Sequence, residues 1–298
     1  MSNPLAAGAV PAIAPGTTMG AVHLTVSDLD RSLAFYERVV GLRAGERDDG
    51  DIVLSGADGE ALVRLHGERS APALDRRATG LFHLAILLPT RLDLAFALAR
   101  LSASRWPLDG ASDHLVSEAL YLSDPDGNGI EIYRDRPRVQ WRRSDGELQM
   151  ATLPLDLRDV AGELATAGEP QPHVPAGTTI GHVHLQVSEL EASERFYAGV
   201  LGFEVMVRTY PGALFVAAGG YHHHLGLNTW NSARSGPPVA GAVGLRQYEV
   251  VLPGPAELEA VLDRADQHGL APEVAEEISP GARRLRDPSG NAVVLRTA

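Results

Sequence analysis

A chain of 298 residues has room for one large or two ordinary domains with a full core. Its formal charge of -12 argues against nucleic acid or an anionic membrane as a partner. It contains no cysteine, so disulfides and thiolate metal sites are excluded, and any metal must use histidine, carboxylate or water. No apolar stretch reaches the length of a membrane span. Met1 to Thr18 has no basic n-region, so it reads as a flexible leader and not as a signal peptide, with the cytoplasm as the expected location.

One phrase then recurs with variation. Gly20 to Leu29 (GAVHLTVSDL) predicts a strand over Val22 to Val26, followed by a helix through Leu33, Tyr36 and Val40 that stops at Gly41. Asp51 to Leu54 and Ala61 to His66 read as strands around the Ala57-Asp58-Gly59 turn. A second copy starts at Leu81-Phe82-His83 and runs through a helix at about Arg91 to Leu101. It ends in a strand, a tight turn and a strand, Ala119 to Tyr133. The stretch 137–178 does not repeat; it holds a short helical pattern near Leu155 to Leu164 and reads as a linker. Gly181 to Leu190 (GHVHLQVSEL) opens the third copy, with a helix at Ser193 to Leu201 stopped by Gly202. The fourth begins at Leu245, has a helix at Ala256 to His268 and closes with a hairpin at Arg286 to Leu295.

These repeats predict an α+β fold of four βαβββ modules, at 19–70, 80–136, 179–232 and 243–298. The modules fill an N-terminal half, 19–136, and a C-terminal half, 179–298. They build two domains of paired, curved, mixed sheets with helices outside, and facing sheets enclose a small-molecule cavity. Exposed sheet edges leave room for a homo-oligomer.

Placing the copies in register shows where metal chemistry is concentrated. Asp28 and Glu189 lie equally far from positions 21 and 182, so Ala21 matches His182. Matching Pro89 with Pro253 sets His83 against Gln247, and matching the Asp-Pro turns sets Glu131 against Val294. Only His83, Glu131 and His182 make a plausible ligand set. Two imidazoles and a carboxylate with open positions suit non-haem Fe(II) and O2 chemistry, although Mn(II) accepts the same donors. Glu131 interrupts an apolar run on a strand that reads as buried, where an unpaired carboxylate is costly. The set is complete only if the second module packs against the third. His23 and His184 are rivals, each pointing to the same sheet face as position 21 or 182. His23 would complete a site with His83 and Glu131 if modules one and two paired.

At these residues the chain resembles the vicinal oxygen chelate superfamily, and within it the extradiol ring-cleavage enzymes of the catechol 2,3-dioxygenase group. The resemblance runs from about Gly20 over nearly the whole chain. It rests on Asp28 to Tyr36 (DLDRSLAFY), its variant Glu189 to Tyr197, and Asp124 to Glu131 (DPDGNGIE). These motifs mark the superfamily strongly and the reaction weakly, since glyoxalases, epimerases and drug-binding proteins share them. Many extradiol enzymes keep all three ligands in the C-terminal half, and this chain departs from that.

The resemblance implies a small aromatic diol as substrate, O2 as co-substrate and Fe(II) on His83, His182 and Glu131. It also implies that His114 and Tyr121, between His83 and Glu131, help deprotonate the substrate. His223, in Tyr221-His222-His223-His224-Leu225, would be the acid/base residue. The competing reading of the three adjacent histidines is a solvated polar turn. The competing functions are a glyoxalase-type metal-dependent lyase or isomerase, whose sites generally use four protein ligands, and a binding protein without chemistry.

Overall fold

The computed structural model describes residues 12–144, 146–168 and 171–298. The first module comprises β1 (Thr18–Val26), α1 (Leu29–Phe35), β2 (Arg43–Asp48), β3 (Asp51–Ser55) and β4 (Ala61–Gly67). The second comprises β5 (Gly80–Leu87), α2 (Arg91–Ser104), β6 (Gly110–Asp113), β7 (Ser117–Ser123) and β8 (Gly129–Asp135). Between the halves lie β9 (Arg143–Ser144), β10 (Glu147–Leu148), β11 (Leu153–Pro154) and α3 (Leu157–Gly162). The third module holds β12 (Thr179–Gln186), α4 (Leu190–Glu194), β13 (Glu204–Val207), β14 (Ala213–Ala217) and β15 (Leu225–Asn228). The fourth holds β16 (Gly244–Leu252), α5 (Pro255–Gln267), β17 (Glu273–Val274), β18 (Arg283–Arg286) and β19 (Ala292–Thr297).

Each large sheet takes one module from each half of the chain. Among the described residues, the order β11-β6-β7-β8-β5-β12-β15-β14-β13 joins modules two and three, and β17-β18-β19-β16-β1-β4-β3-β2 joins modules one and four. The seams are antiparallel, β5 with β12 and β1 with β16. The apolar residues of all four modules form one continuous core that spans both sheets. The seam strands are buried on both faces, which is why β1 and β12 show little of the expected alternation. The α+β architecture of repeated modules is as the repeats predict.

Two segments differ from their sequence reading. Residues 1–11 of the expected flexible leader lie outside the described residues. Of the remainder, Ile13 is buried and its N–H donates to the Gly202 carbonyl at 2.7 Å, so an apolar side chain anchors the entry into β1. The stretch read as a linker does more than connect, because Leu153 and Pro154 add a strand to the edge of β6.

The two recurrent motifs bind one another. The Asp124 carboxylate accepts the N–H groups of Asp126 and Asn128 and the side-chain amide of Asn128, each at 2.9 Å, holding the turn that feeds β8. Gly127 takes a φ of 90° in that turn, a region open to glycine. The Tyr36 hydroxyl reaches over from the first module to donate to Asp124, as Tyr197 does to Asp287 in the other half. These buried contacts tie modules together in pairs and carry no reaction chemistry, which explains why the motifs mark a superfamily and not an activity. Replacing Asp124 with Ala orphans three donors and the Tyr36 hydroxyl. A loss of about 3 kcal/mol is expected, read as a lower urea midpoint at unchanged slope.

Candidate metal centre and cavity

Strand register places the candidate metal-binding side chains. Successive side chains alternate across a strand, so one face of β5 presents His83 and Ala85 while Leu84 and Ile86 enter the core. On β12 the same face presents His182 and His184. Across the sheet, Tyr121 pairs with Glu131, Glu131 with Ala85, and Ala85 with His182. The small Ala85 methyl in the middle of this row leaves space for the flanking carboxylate and imidazole to converge. Gly181 makes room for Tyr133, since a Cβ there would lie 1.8 Å from the Tyr133 hydroxyl.

His83, Glu131 and His182 offer ligand atoms that all lie within 4.8 Å of one another, the one such group among the described residues. Both Nε2 atoms face a single oxygen: Glu131 Oε2 is 3.0 Å from His83 and 3.1 Å from His182. All three residues are buried. Burial opposes ionisation of Glu131, but His182 and then His83 outweigh it and hold the carboxyl well below its usual range. Burial holds the His182 imidazole down to about 4. His182 is thus neutral and Glu131 ionised near neutral pH, and together with His83 they offer a divalent cation two imidazoles and one carboxylate.

A cavity of about 300 Å³ opens onto this group. Phe82, Met150, Phe215 and Trp230 form its apolar walls, and no arginine or lysine is among its lining residues. His114 and Tyr121 line it as a pair. The Ala151 carbonyl can only accept, so His114 Nδ1 donates to it at 2.7 Å. His114 Nε2 is then left to accept from the Tyr121 hydroxyl at 2.6 Å. The phenolic oxygen remains free to receive a proton or hydrogen bond from a ligand. His223 stands on the opposite wall, its ring 4.1 Å from that of His182.

The six site candidates thus meet in one place, and the rivals separate. His23 belongs to the other sheet, because β1 pairs with β16, and it bonds Glu249 at 2.7 Å. Ala21, Gln247 and Val294 occupy the other positions there. His184 lines the cavity beside the three converging residues without joining them. Its ring fits because position 226 is glycine; a Cβ there would lie 2.9 Å from the imidazole. The adjacent histidines do not form a solvated turn, since His222, His223 and His224 are all buried. His224 Nδ1 accepts the Ala218 N–H, a structural role. Sequence reasoning missed the apolar walls, the Tyr210 hydroxyl bonded to Thr152 at 3.0 Å, and the contribution of Met150 to Thr152 from the presumed linker.

Several of these histidines make the fold acid-labile. Burial holds His182 down to about 4, His224 down to about 3, and His184 and His223 well below the usual range. The unfolded chain takes up protons below about 6.5 while the folded chain does not, so stability rises with pH over that interval. The urea midpoint of the metal-free protein is expected to be flat above pH 7 and to fall steadily from pH 6.5 towards pH 4. A constant midpoint would show that the buried histidines protonate without unfolding.

Comparison with known proteins agrees with this architecture. The family described as the Glyoxalase/Bleomycin resistance protein/Dioxygenase superfamily matches residues 18–132 and 179–295. A catechol-2,3-dioxygenase of Bacillus subtilis (strain 168) is 44% identical over 283 residues, covering 93% of this chain and 96% of the relative. A solved structure from Bacillus subtilis subsp. subtilis str. 168 superposes with a TM-score of 0.62 at 17% identity. It covers 94% of this chain and 85% of that one. Glyoxalase I from Zea mays gives 0.56 at 18% identity, covering 94% of this chain and 92% of that one. At such identities the two structures speak for the fold alone. With one family covering both halves and a relative this similar over nearly its whole length, the chain belongs to the glyoxalase, bleomycin resistance protein and dioxygenase superfamily.

Proposed function

We propose that this protein is an extradiol dioxygenase that opens a catechol-type ring with O2, using iron(II) held by His83, Glu131 and His182. The observation that carries the reading is the 44% identity to a catechol-2,3-dioxygenase in a chain that sets two imidazoles and one carboxylate beside a cavity of aromatic dimensions. When bound there, iron(II) supplies the Lewis acidity that favours the deprotonated diol and the redox chemistry for O2. The protein's own groups do the rest. Phe82, Phe215 and Trp230 hold the ring and exclude water. Tyr121, with its proton committed to His114, accepts the hydrogen of a substrate hydroxyl. His223, on the other wall, moves a proton at the reacting oxygen. The single carboxylate speaks against the glyoxalase-type alternative, which generally needs a fourth protein ligand.

The apolar walls, free of cationic side chains, favour uncharged catechols. The test is anaerobic loading with Fe(II) or Mn(II), followed by catechol and air, with O2 uptake and the yellow ring-fission product recorded together. The expected result is rapid colour with stoichiometric O2 uptake under Fe(II). A carboxylated ring such as 3,4-dihydroxybenzoate is expected to be at least about 10-fold poorer in kcat/KM, because its buried charge finds no partner. Bound iron with no O2 consumed across several catechols would overturn the reading.

A further inference from the structure

We propose that Asp135 and His222 are positioning residues that fix which ring nitrogen of His223 carries its proton. The inference rests on the reading of His223 as the acid/base group. Asp135 is the last residue of β8 and projects from the same sheet face as Glu131 and Tyr133. Its Oδ1 lies 2.8 Å from His222 Nε2, and His222 is fully buried. His222 Nδ1 in turn lies 2.8 Å from His223 Nδ1.

Hydrogen-bond direction follows from donor and acceptor inventory. An ionised carboxylate can only accept, so His222 Nε2 donates to Asp135. Whenever His222 carries a single ring proton, that proton sits on Nε2, Nδ1 has only a lone pair, and it must accept from His223 Nδ1–H. His223 is left with an unprotonated Nε2. The opposite tautomer would bring two lone pairs together at 2.8 Å. The Tyr221 ring stacks against His222, with ring centroids 4.0 Å apart, and its hydroxyl lies 2.8 Å from that of Tyr133. The His223 ring is wedged between His182, at 4.1 Å, and Phe215, at 4.9 Å, so it cannot flip to exchange its nitrogens without displacing a neighbour. The arrangement delivers a base, not an acid, to the cavity before the reaction starts. For metal-ligating imidazoles an outer partner of this kind is worth about 10–100-fold, and an effect of the same order is expected at His223.

The test begins with the full-length, metal-free protein labelled with 15N-histidine, examined by long-range 1H–15N correlation at about pH 8, above the usual imidazole range. The expected spectrum puts the proton of His223 on Nδ1 and that of His222 on Nε2. A wild-type His223 protonated on Nε2 overturns the inference without any variant. In Asp135→Leu the His223 proton is expected to leave Nδ1 in a substantial fraction of molecules. In the iron-loaded variant kcat is expected to fall about 10–100-fold with KM within about twofold, bound iron unchanged and most of the loss restored in Asp135→Glu. An unchanged tautomer or an unchanged kcat in Asp135→Leu also overturns it. A wild-type protein that opens no catechol would instead sink the dioxygenase reading, and the tautomer measurement would still stand on its own.

Discussion

Glu131→Ala is expected to abolish metal binding and turnover together. The carboxylate is 3% exposed and is the only negative charge among the three converging side chains. Imidazole ligands bring no negative charge, so without Glu131 a divalent cation would be buried with no charge to balance it. Loss of an outer partner to a ligand already lowers affinity about 10–100-fold, and loss of the anionic ligand itself is expected to exceed 100-fold. Lewis-acid stabilisation is worth several kcal/mol, so kcat/KM is expected to drop by at least about 10³-fold. Glu131→Gln is the control for shape. It keeps the volume between Tyr121 and Ala85 and removes only the charge, and it is expected to fold normally and still fail to retain iron. Metal content after gel filtration, measured beside O2 uptake, checks both variants. Full iron and full turnover in Glu131→Ala would sink the assignment.

The same residue shows why part of this site is legible in sequence. A glutamate between Ile130 and Ile132 breaks the pattern of a buried strand, and the register of the repeats sets it against Val294, where no such chemistry is possible. His83 and His182 stand out for the same reason, against Gln247 and Ala21. The four-module α+β fold is readable because each copy repeats its own strand, helix and stop, with Gly41 and Gly202 both in the left-handed region after their helices. The cavity walls are not readable in this way. Met150, Ala151 and Thr152 come from a segment without a repeat, and nothing in their own sequence says that β11 returns to the edge of β6. Trp230 and Phe82 are ordinary apolar residues until β5 and β12 pair. The bond from His222 to Asp135 joins positions far apart in the chain, in modules that only the pairing of β5 with β12 brings side by side. Periodicity reports which face a residue takes, whereas pocket composition depends on which strands become neighbours.

His223→Gln separates binding from chemistry. His223 lies beside His182 but outside the three converging side chains, so iron content is expected to match wild type. Glutamine roughly fills the imidazole's space against Phe215, and its amide can still accept or donate a hydrogen bond, but it cannot take up and return a proton. General acid–base help is worth about 10²–10⁴-fold, and kcat is expected to fall within that range. KM for catechol is expected to move far less, because the ring is held by Phe82, Phe215 and Trp230 and those walls are untouched. His184→Gln makes the comparison sharp. That imidazole lines the same cavity, and its Nε2 has no hydrogen-bond partner. If it contributes only shape, its loss should change KM more than kcat. A fall in kcat confined to His184→Gln, with His223→Gln still active, would reverse the two assignments and place the proton-transfer group on β12. A fall in His223→Gln alone, at full iron, leaves the acid/base role on the wall opposite Tyr121, where a diol lying between them would have one hydroxyl facing each.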